Sequence, residues 1–338
     1  PVDRGVVGTL KRLPRQRVHA VEGVSFSVGR GEMLALVGES GCGKTTTAQS
    51  VIRMVESQHG TIRFGGRDIT ALSAGEMRPL RREMQMIYQD PYESLDPRFS
   101  VRDTIEEPLL VHKIATSGKD REQRMLQALN RAGLTPPDLF IDRYPHELSG
   151  GQRQRVAIAA SLVLDPKLLV ADEPVSMLDV SVRAGILSLL DGLRKDGMGI
   201  LMITHDLSTA AHFADRIAVM YLGRIVELAS SQELNRDPLH PYSVALLSAI
   251  PIPDPAVESR RRRIILRGDV PSPAAPPPGC RFNTRCWLYE RLGKPARCVE
   301  EDPQLRVLES GHAVACHFAQ EVAGSVEQRQ VTGRAAAE

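Results

Sequence analysis

"GESGCGKT", Gly38 to Thr45, decides how this chain is read. It fits the spacing G-x-x-x-x-G-K-[ST] in full, directly after the apolar run "EMLALVG" and before the helical run "KTTTAQSVIRMV". Glycines there let backbone N–H groups close around phosphate oxygens, and the following helix adds the positive end of its dipole. Lys44 supplies a point charge for the β- and γ-phosphates, and the Thr45 hydroxyl is placed to ligate Mg²⁺. Gly38, Ser40, Gly41, Cys42, Gly43, Lys44, Thr45 and Thr46 are therefore the candidate ATP contacts. A chance glycine-rich turn would lack the strand before and the helix after. Cys42 stands at a variable position of the motif, where packing explains it better than redox chemistry.

Working outward, "KLLVADEP" and "GILMITHD" are short apolar runs of the kind expected for strands buried on both faces. Between them "SVRAGILSLLDGLRK" lines Val182, Ile186, Leu189, Leu190 and Leu193 on one helical stripe. Such alternation predicts an α/β fold with a parallel sheet and right-handed crossovers. Asp172 ends the first of those strands, where a carboxylate can hold Mg²⁺ through water, and Glu173 can polarise an attacking water. Further strands are expected at "VSFSV" (24–28) and "MQMIYQD". Residues 100–163 read as mostly helical, with Gly133 as a C-cap, and "RIAVMYLGRIVELA" reads as a hairpin turning at Gly223.

The whole composition agrees with a globular machine. At 338 residues the chain can bury a full core. A net charge of +2 gives no push toward nucleic acid, so no nucleic-acid partner is expected. No apolar run reaches the roughly 18 to 20 residues of a membrane span. The opening lacks the apolar core of a secretory signal, and without an initiator methionine it is expected to be processed or a piece of something longer. Four of the five cysteines fall between 280 and 316, which is not the spread of a disulfide-stapled secreted protein; a reducing cytoplasm is expected.

Further stretches carry a resemblance. "LSGGQ", Leu148 to Gln152, resembles the signature of ATP-binding cassette (ABC) ATPases, and "SMLD", Ser176 to Asp179, their D-loop, with Met177 where alanine is usual. Gln89 in "YQDP" resembles the Q-loop glutamine, and His205 in "ITHD" the switch histidine. With the phosphate loop and "LLVADEP" these make six motifs in the family's order. The resemblance implies a P-loop NTPase (RecA-like) core with an antiparallel β subdomain and an α-helical signature subdomain at about 92–163. It implies catalytic roles for Glu173, His205 and Gln89, Mg²⁺ held by Thr45, Gln89 and Asp172, and coupling through Asp179. Leu148, Ser149, Gly150, Gly151 and Gln152 would contact ATP bound to a second, facing cassette. Backbone N–H groups after a serine at a helix N-terminus suit that second anion cradle.

The sub-family signal lies in "YQDPYESLDPR" (88–98), "HPYSVALLSAIP" (240–251) and "LRGDVPSPAAPPPGCRFNTRC" (266–286). Together these look like the ATPase subunits of bacterial dipeptide, oligopeptide and nickel importers, over residues 1 to about 318. The implied function is a motor for peptide uptake on the cytoplasmic face of the inner membrane. Its partners would be a second cassette (a paralogue or a tandem half), two membrane permease subunits and, indirectly, an extracytoplasmic binding protein. An exporter cassette, or a soluble ABC protein of repair or translation, is the rival reading. In this sub-family the adenine-stacking aromatic would precede Pro1, so that residue is left unassigned.

The expected layout is a nucleotide-binding domain over 1–250, a Pro/Arg-rich linker over 251–279 including Arg260 to Arg263, a small cysteine-rich domain over 280–318, and a disordered tail over 319–338. The cysteines read C-x5-C-x11-C-x17-C across Cys280, Cys286, Cys298 and Cys316. Four thiolates could bind zinc or hold an iron–sulfur cluster. Reduced, metal-free cysteines in a small apolar patch and two disulfides are the alternatives. So short and weakly apolar a segment is expected to need a staple. The sub-family resemblance implies that the staple is a [4Fe–4S] cluster.

Overall fold

A computed structural model describes residues 18–90, 94–115, 117–251 and 263–322. Arg260 to Arg262 of the arginine run, most of the linker's first half and positions 323–338 of the tail lie outside the described residues. The contacts divide the chain into two units. One is 27–35 with 47–204; the other, among described residues, is 18–26, 36–46 and 205–322.

The first unit is built on β1 (Met33–Val37), whose residues are all buried and whose first three belong to this unit. Helix α1 (Lys44–Val51) ends earlier than the sequence suggested, because Arg53 turns to a φ of +57°. A two-stranded hairpin, β2 (Arg63–Phe64) and β3 (Arg67–Asp68), turns through Gly65 and Gly66, both at positive φ as such a turn requires. Helix α2 (Ala74–Glu83), opened by a Ser73–Glu76 capping box, leads into β4 (Met84–Ile87).

Three helices follow: α3 (Val101–Val111), α4 (Gly118–Arg131) and α5 (Gly150–Leu162). They pack on one another as the expected helical region; its first two positions, 92 and 93, are not described. Gly133, at φ +75°, ends α4: its N–H bonds Asn130 O at 2.9 Å and that of Leu134 bonds Leu129 O at 2.9 Å. That pair of bonds is the Schellman pattern the glycine predicted. Strand β5 (Leu168–Asp172), helix α6 (Val180–Lys195) and β6 (Gly199–Thr204) complete the unit. Its strand order is β4-β5-β6-β1, with β4, β5 and β6 parallel in the register Met84↔Leu168↔Gly199. Burial of α6 through Ile186, Leu187, Leu190 and Leu193 is the predicted stripe, rotated slightly.

The second unit takes the end of β1, the phosphate loop and the start of α1, then α7 (Leu207–Phe213). Strands β7 (Arg216–Tyr221) and β8 (Arg224–Ser230) form the expected hairpin, with Leu222 and Gly223 at φ +42° and +78°. Helices α8 (Ser231–Arg236) and α9 (Pro241–Ala249) and the short strands β9 (Arg306–Val307) and β10 (Ala313–Val314) follow. Strand order is β1-β7-β8-β10-β9, and β10 lies antiparallel to β8 through Ala313↔Leu228.

Three expectations are corrected. "VSFSV" joins no sheet; its side chains only alternate between half-buried and exposed. Residues 280–318 are not set apart as a domain, because β10 extends the β7–β8 ladder and Phe282 packs on Tyr221 and Tyr242. The apolar surface that the segment lacks is supplied by the rest of its unit. Residues 319–322 of the expected disordered tail are helical, with Val322 fully buried against Val244 and Leu288.

Candidate nucleotide site

In the second unit, β1 delivers the chain into the phosphate loop. A Cβ on Gly38 would stand 2.3 Å from Met220 O, and one on Gly43 would stand 2.1 Å from Ala20 O. Gly43 also holds φ +105°, so no other residue fits there. Gly41 has open space around it but a φ of +78°; there the demand is conformational. Lys44 is buried, and its Nζ donates to Gly38 O at 2.7 Å and Glu39 O at 3.1 Å. The ammonium is thus aimed by the loop's own backbone. Ser40, Gly41 and Thr45 are exposed and Thr46 is half-buried. Cys42 is buried, and burial pushes its thiol above the ordinary range despite the Lys44 charge; it is an inert packing residue.

His205 follows β6 and is exposed. The next residue, Asp206, caps α7: it accepts from Ser208 N at 2.9 Å and from the Ser208 and Thr209 hydroxyls at 2.6 Å each. Burial alone would raise its carboxyl, but those bonds hold it below its ordinary value.

The first unit carries the acidic half. Asp172 is buried at the end of β5, and Glu173 turns away at φ +46° with its N–H on Ile203 O at 3.0 Å. Gln89 Nε2 donates to Glu173 Oε2 at 3.0 Å, so two residues 84 positions apart meet. Tyr88, Gln89, Ser94, Asp172 and Met177 line one open cleft. Ser176 Oγ donates to Glu173 O at 3.1 Å, tying the start of the D-loop to the acid.

Leu148 is buried and leads into Ser149, the N-cap of α5; a capping box links Ser149 and Gln152 in both directions. Gly150 is half-buried. Gly151 is buried so closely that a Cβ would come within 2.4 Å of Val182 Cγ1. Asp179 opens α6, yet its carboxylate makes no capping bond and is exposed, flanked by the exposed Met177 and Val180.

Cys280, Cys286, Cys298 and Cys316 line a single small cavity together with His240 and Phe318. None is in a disulfide. Burial pushes Cys280 and Cys316 up to about 12 and Cys286 to about 11, and the charge of neighbouring cysteines adds to each shift. Among the described residues, no group of three or more His, Cys, Asp or Glu side chains is placed to hold a metal ion.

Sequence reasoning missed the residues that hold the phosphate loop from outside. Arg285 forms a two-point ion pair with Glu39, at 2.7 and 3.3 Å, and Glu39 N donates to Tyr242 Oη at 3.0 Å. Arg281 donates to Leu222 O and to Glu22. The only available signal was the pair of arginines inside "CRFNTRC", where the cysteines drew the attention.

Comparison with known proteins places the chain. A family model described as ABC transporter matches residues 21–176, and one described as the C-terminal region of oligopeptide/dipeptide transporters matches residues 226–291. The putative oligopeptide transport ATP-binding protein YkfD of Bacillus subtilis is 48% identical over 305 residues, 90% of this chain and 91% of its own. A putative peptide import ATP-binding protein of Brucella ovis is 50% identical over 297 residues, 88% of this chain and 90% of its own. The oligopeptide transport ATP-binding protein OppF of Salmonella typhimurium is 44% identical over 306 residues, 90% of this chain and 89% of its own. Among solved structures, a dimeric ATP-binding cassette in a post-hydrolysis state bound to ADP and Pi is similar. It has a TM-score of 0.57 at 30% identity, covering 63% of this chain and 90% of that one.

Proposed function

The chain belongs to the ABC transporter family, in the group of oligopeptide and dipeptide import ATP-binding proteins, and from that premise we propose that it is the ATP-hydrolysing motor of a bacterial peptide importer. The observation that carries the reading is the loop itself, where Gly38 and Gly43 leave no room for a side chain and Lys44 is aimed by two loop carbonyls.

The roles follow from the residues. Backbone N–H groups of Gly38 to Thr46 wrap the phosphates, with the α1 N-terminus and Lys44 opposing their charge. Mg²⁺, when bound, draws charge from the β- and γ-phosphate oxygens. Thr45, Asp172 and Gln89 would hold it. The Asp172 carboxylate suits that task, being acidic and buried at a strand end. Glu173 orients the attacking water and takes up its proton, with Gln89 Nε2 steadying the carboxylate from 3.0 Å. His205 touches the γ-phosphate. Ser149, Gly150 and Gly151 offer their helix end to ATP held by a facing cassette, and Asp179, whose exposed carboxylate makes no capping bond to its own helix, couples the two.

Among the described residues no helix is long and apolar enough to cross a membrane. The proposed setting is the cytoplasmic face of the inner membrane, on two permease subunits, with an extracytoplasmic binding protein delivering peptide and a paralogous or tandem second cassette. Co-purification with permeases, then peptide-stimulated ATP hydrolysis, tests this; a complex that gives no stimulation with any di- or oligopeptide overturns it.

The four cysteines are the proposed ligands of a [4Fe–4S] cluster, with zinc as the alternative. Four thiols line one cavity where burial makes each harder to ionise, with neighbouring cysteine charge adding to it at Cys280, Cys286 and Cys316, and a cationic centre bound there would draw off their protons. Among the described residues no three such side chains converge to hold one ion, so both metal readings rest on the four-cysteine pattern and the shared cavity. Thiolate ligation would staple the segment. Brown protein with iron and sulfide by assay is expected. Colourless, iron-free protein from an anaerobic preparation refutes the cluster.

A further inference from the structure

Glu39 is an odd residue for a phosphate loop. A carboxylate one position after Gly38 should repel a nucleoside triphosphate, and the loop motif itself gives it no task. In this fold it is held at three points. Its carbonyl accepts from Lys44 Nζ at 3.1 Å, its N–H donates to Tyr242 Oη at 3.0 Å, and its carboxylate accepts both Nη1 and Nη2 of Arg285. Two of these three holds come from the C-terminal part of the unit.

The surroundings make the clamp stiff. The Arg285 side chain is only 9% exposed and that of Arg281 8%. Between them Phe282 is fully buried against Tyr221 and Tyr242. Arg281 grips Leu222 O beside Gly223, whose N–H donates to Cys42 O of the loop at 2.8 Å. The stretch between Cys280 and Cys286 therefore holds the phosphate loop at two points: Glu39 near its start and, through the Leu222–Gly223 turn, Cys42 near its middle.

We propose that Arg285 is a positioning residue for ATP binding. It cancels the Glu39 carboxylate and fixes the Glu39 backbone, and so sets where Lys44 Nζ points. This rests on reading Gly38 to Thr45 as the ATP cradle. Arg285 acts through Glu39, whose carboxylate it holds at two points. Its planar fork engages both carboxylate oxygens, which lysine cannot imitate.

The test uses the full chain and a fluorescent ATP analogue, with thermal unfolding recorded for each variant. Arg285→Gln leaves a partly buried carboxylate beside the phosphates, and the dissociation constant is expected to rise about tenfold. Added salt should shrink that deficit, because it screens repulsion between carboxylate and phosphate. Removing the carboxylate as well, in Glu39→Gln with Arg285→Gln, should restore affinity to within about threefold of the parent. Arg285→Lys should fall between parent and Arg285→Gln. A dissociation constant unmoved by Arg285→Gln overturns the proposal. So does a deficit that the double variant leaves in full, since that marks Arg285 as structural only. Should Arg285→Gln fail to fold, the same judgement passes to Arg285→Lys and the double variant: weakened binding in Arg285→Lys with near-parent binding in the double variant upholds the charge argument, and any other pair of results overturns it. Lys44→Ala serves as the separate control: nucleotide binding that survives it refutes the cradle reading and not the clamp.

Discussion

Truncating Phe282 tests whether the cysteine-bearing segment is part of the nucleotide-binding unit. The ring is 1% exposed. Its centroid lies 5.1 Å from Tyr221 in an edge-on contact, 5.3 Å from Tyr242 and 5.7 Å from His240. Phe282→Ala removes a buried aromatic and its ring contacts, at a cost of about 3–5 kcal/mol. Against a total stability of about 5–15 kcal/mol, that is a large share. With a urea slope of about 3 kcal/mol per molar, the midpoint should fall by about 1–1.7 M. Phe282→Leu, nearer in volume, should lose about 1 kcal/mol. The molecule supplies its own probe. Trp287 is the single tryptophan, and its Nε1 donates to Pro241 O at 2.9 Å, so its fluorescence reports the segment. A fluorescent ATP analogue reports the loop. Both transitions should move together in Phe282→Ala. A tryptophan transition that shifts while nucleotide release stays at its original midpoint would show an autonomous appendage and refute the packing argument.

Other perturbations follow from the same contacts. Glu173→Gln keeps a side chain able to bond Gln89 but loses the base; ATP binding should persist while turnover falls at least about 100-fold, and near-normal turnover would remove Glu173 from its role. Gly43→Ala places a Cβ 2.1 Å from Ala20 O at φ +105°, so nucleotide binding should be lost in calorimetry even if the chain folds; parent-like affinity would contradict the loop geometry. Asp206 is held below its ordinary pKa, so its stabilisation is present above the normal aspartate range and lost as pH falls through it. Asp206→Asn should therefore flatten the decline of unfolding midpoint below about pH 4, and an unchanged acid limb would contradict it. Ending the chain after Phe318 removes the buried Val322 and should lower stability by about 1.5–3 kcal/mol, read by urea titration of Trp287; no change would restore the disordered tail.

The parts of the fold that were legible in the sequence are those where one local rule suffices. "KLLVADEP" and "GILMITHD" became β5 and β6 because runs that apolar have no exposed alternative. Gly133 and Gly223 were found because positive φ is a single-residue demand. "VSFSV" failed by the same logic: it has the alternation of a strand, but pairing depends on a neighbour that the sequence does not name. The site divides likewise. Gly38, Gly43 and Lys44 are spaced within one turn and could be read directly, whereas the Gln89–Glu173 bond joins residues 84 apart.

The C-terminal segment shows the deeper reason. Judged alone, residues 280–318 have too little apolar surface to fold, and a staple by the cysteines was the natural remedy. The fold supplies a second remedy that no count within the segment could reveal: Phe282 is covered by Tyr221 and Tyr242, and β10 is covered by β8. Those partners lie 40 to 87 positions upstream of what they cover, and each is itself buried for reasons of the nucleotide-binding unit. A segment held this way cannot move without moving its hosts. Arg281 and Arg285 sit on the same short stretch as Cys280 and Cys286, and they grip the Leu222–Gly223 turn and Glu39. The cysteine cavity and the phosphate loop are therefore neighbours through one run of seven residues, Cys280 to Cys286, in which the cysteines line the cavity and the arginines hold the loop.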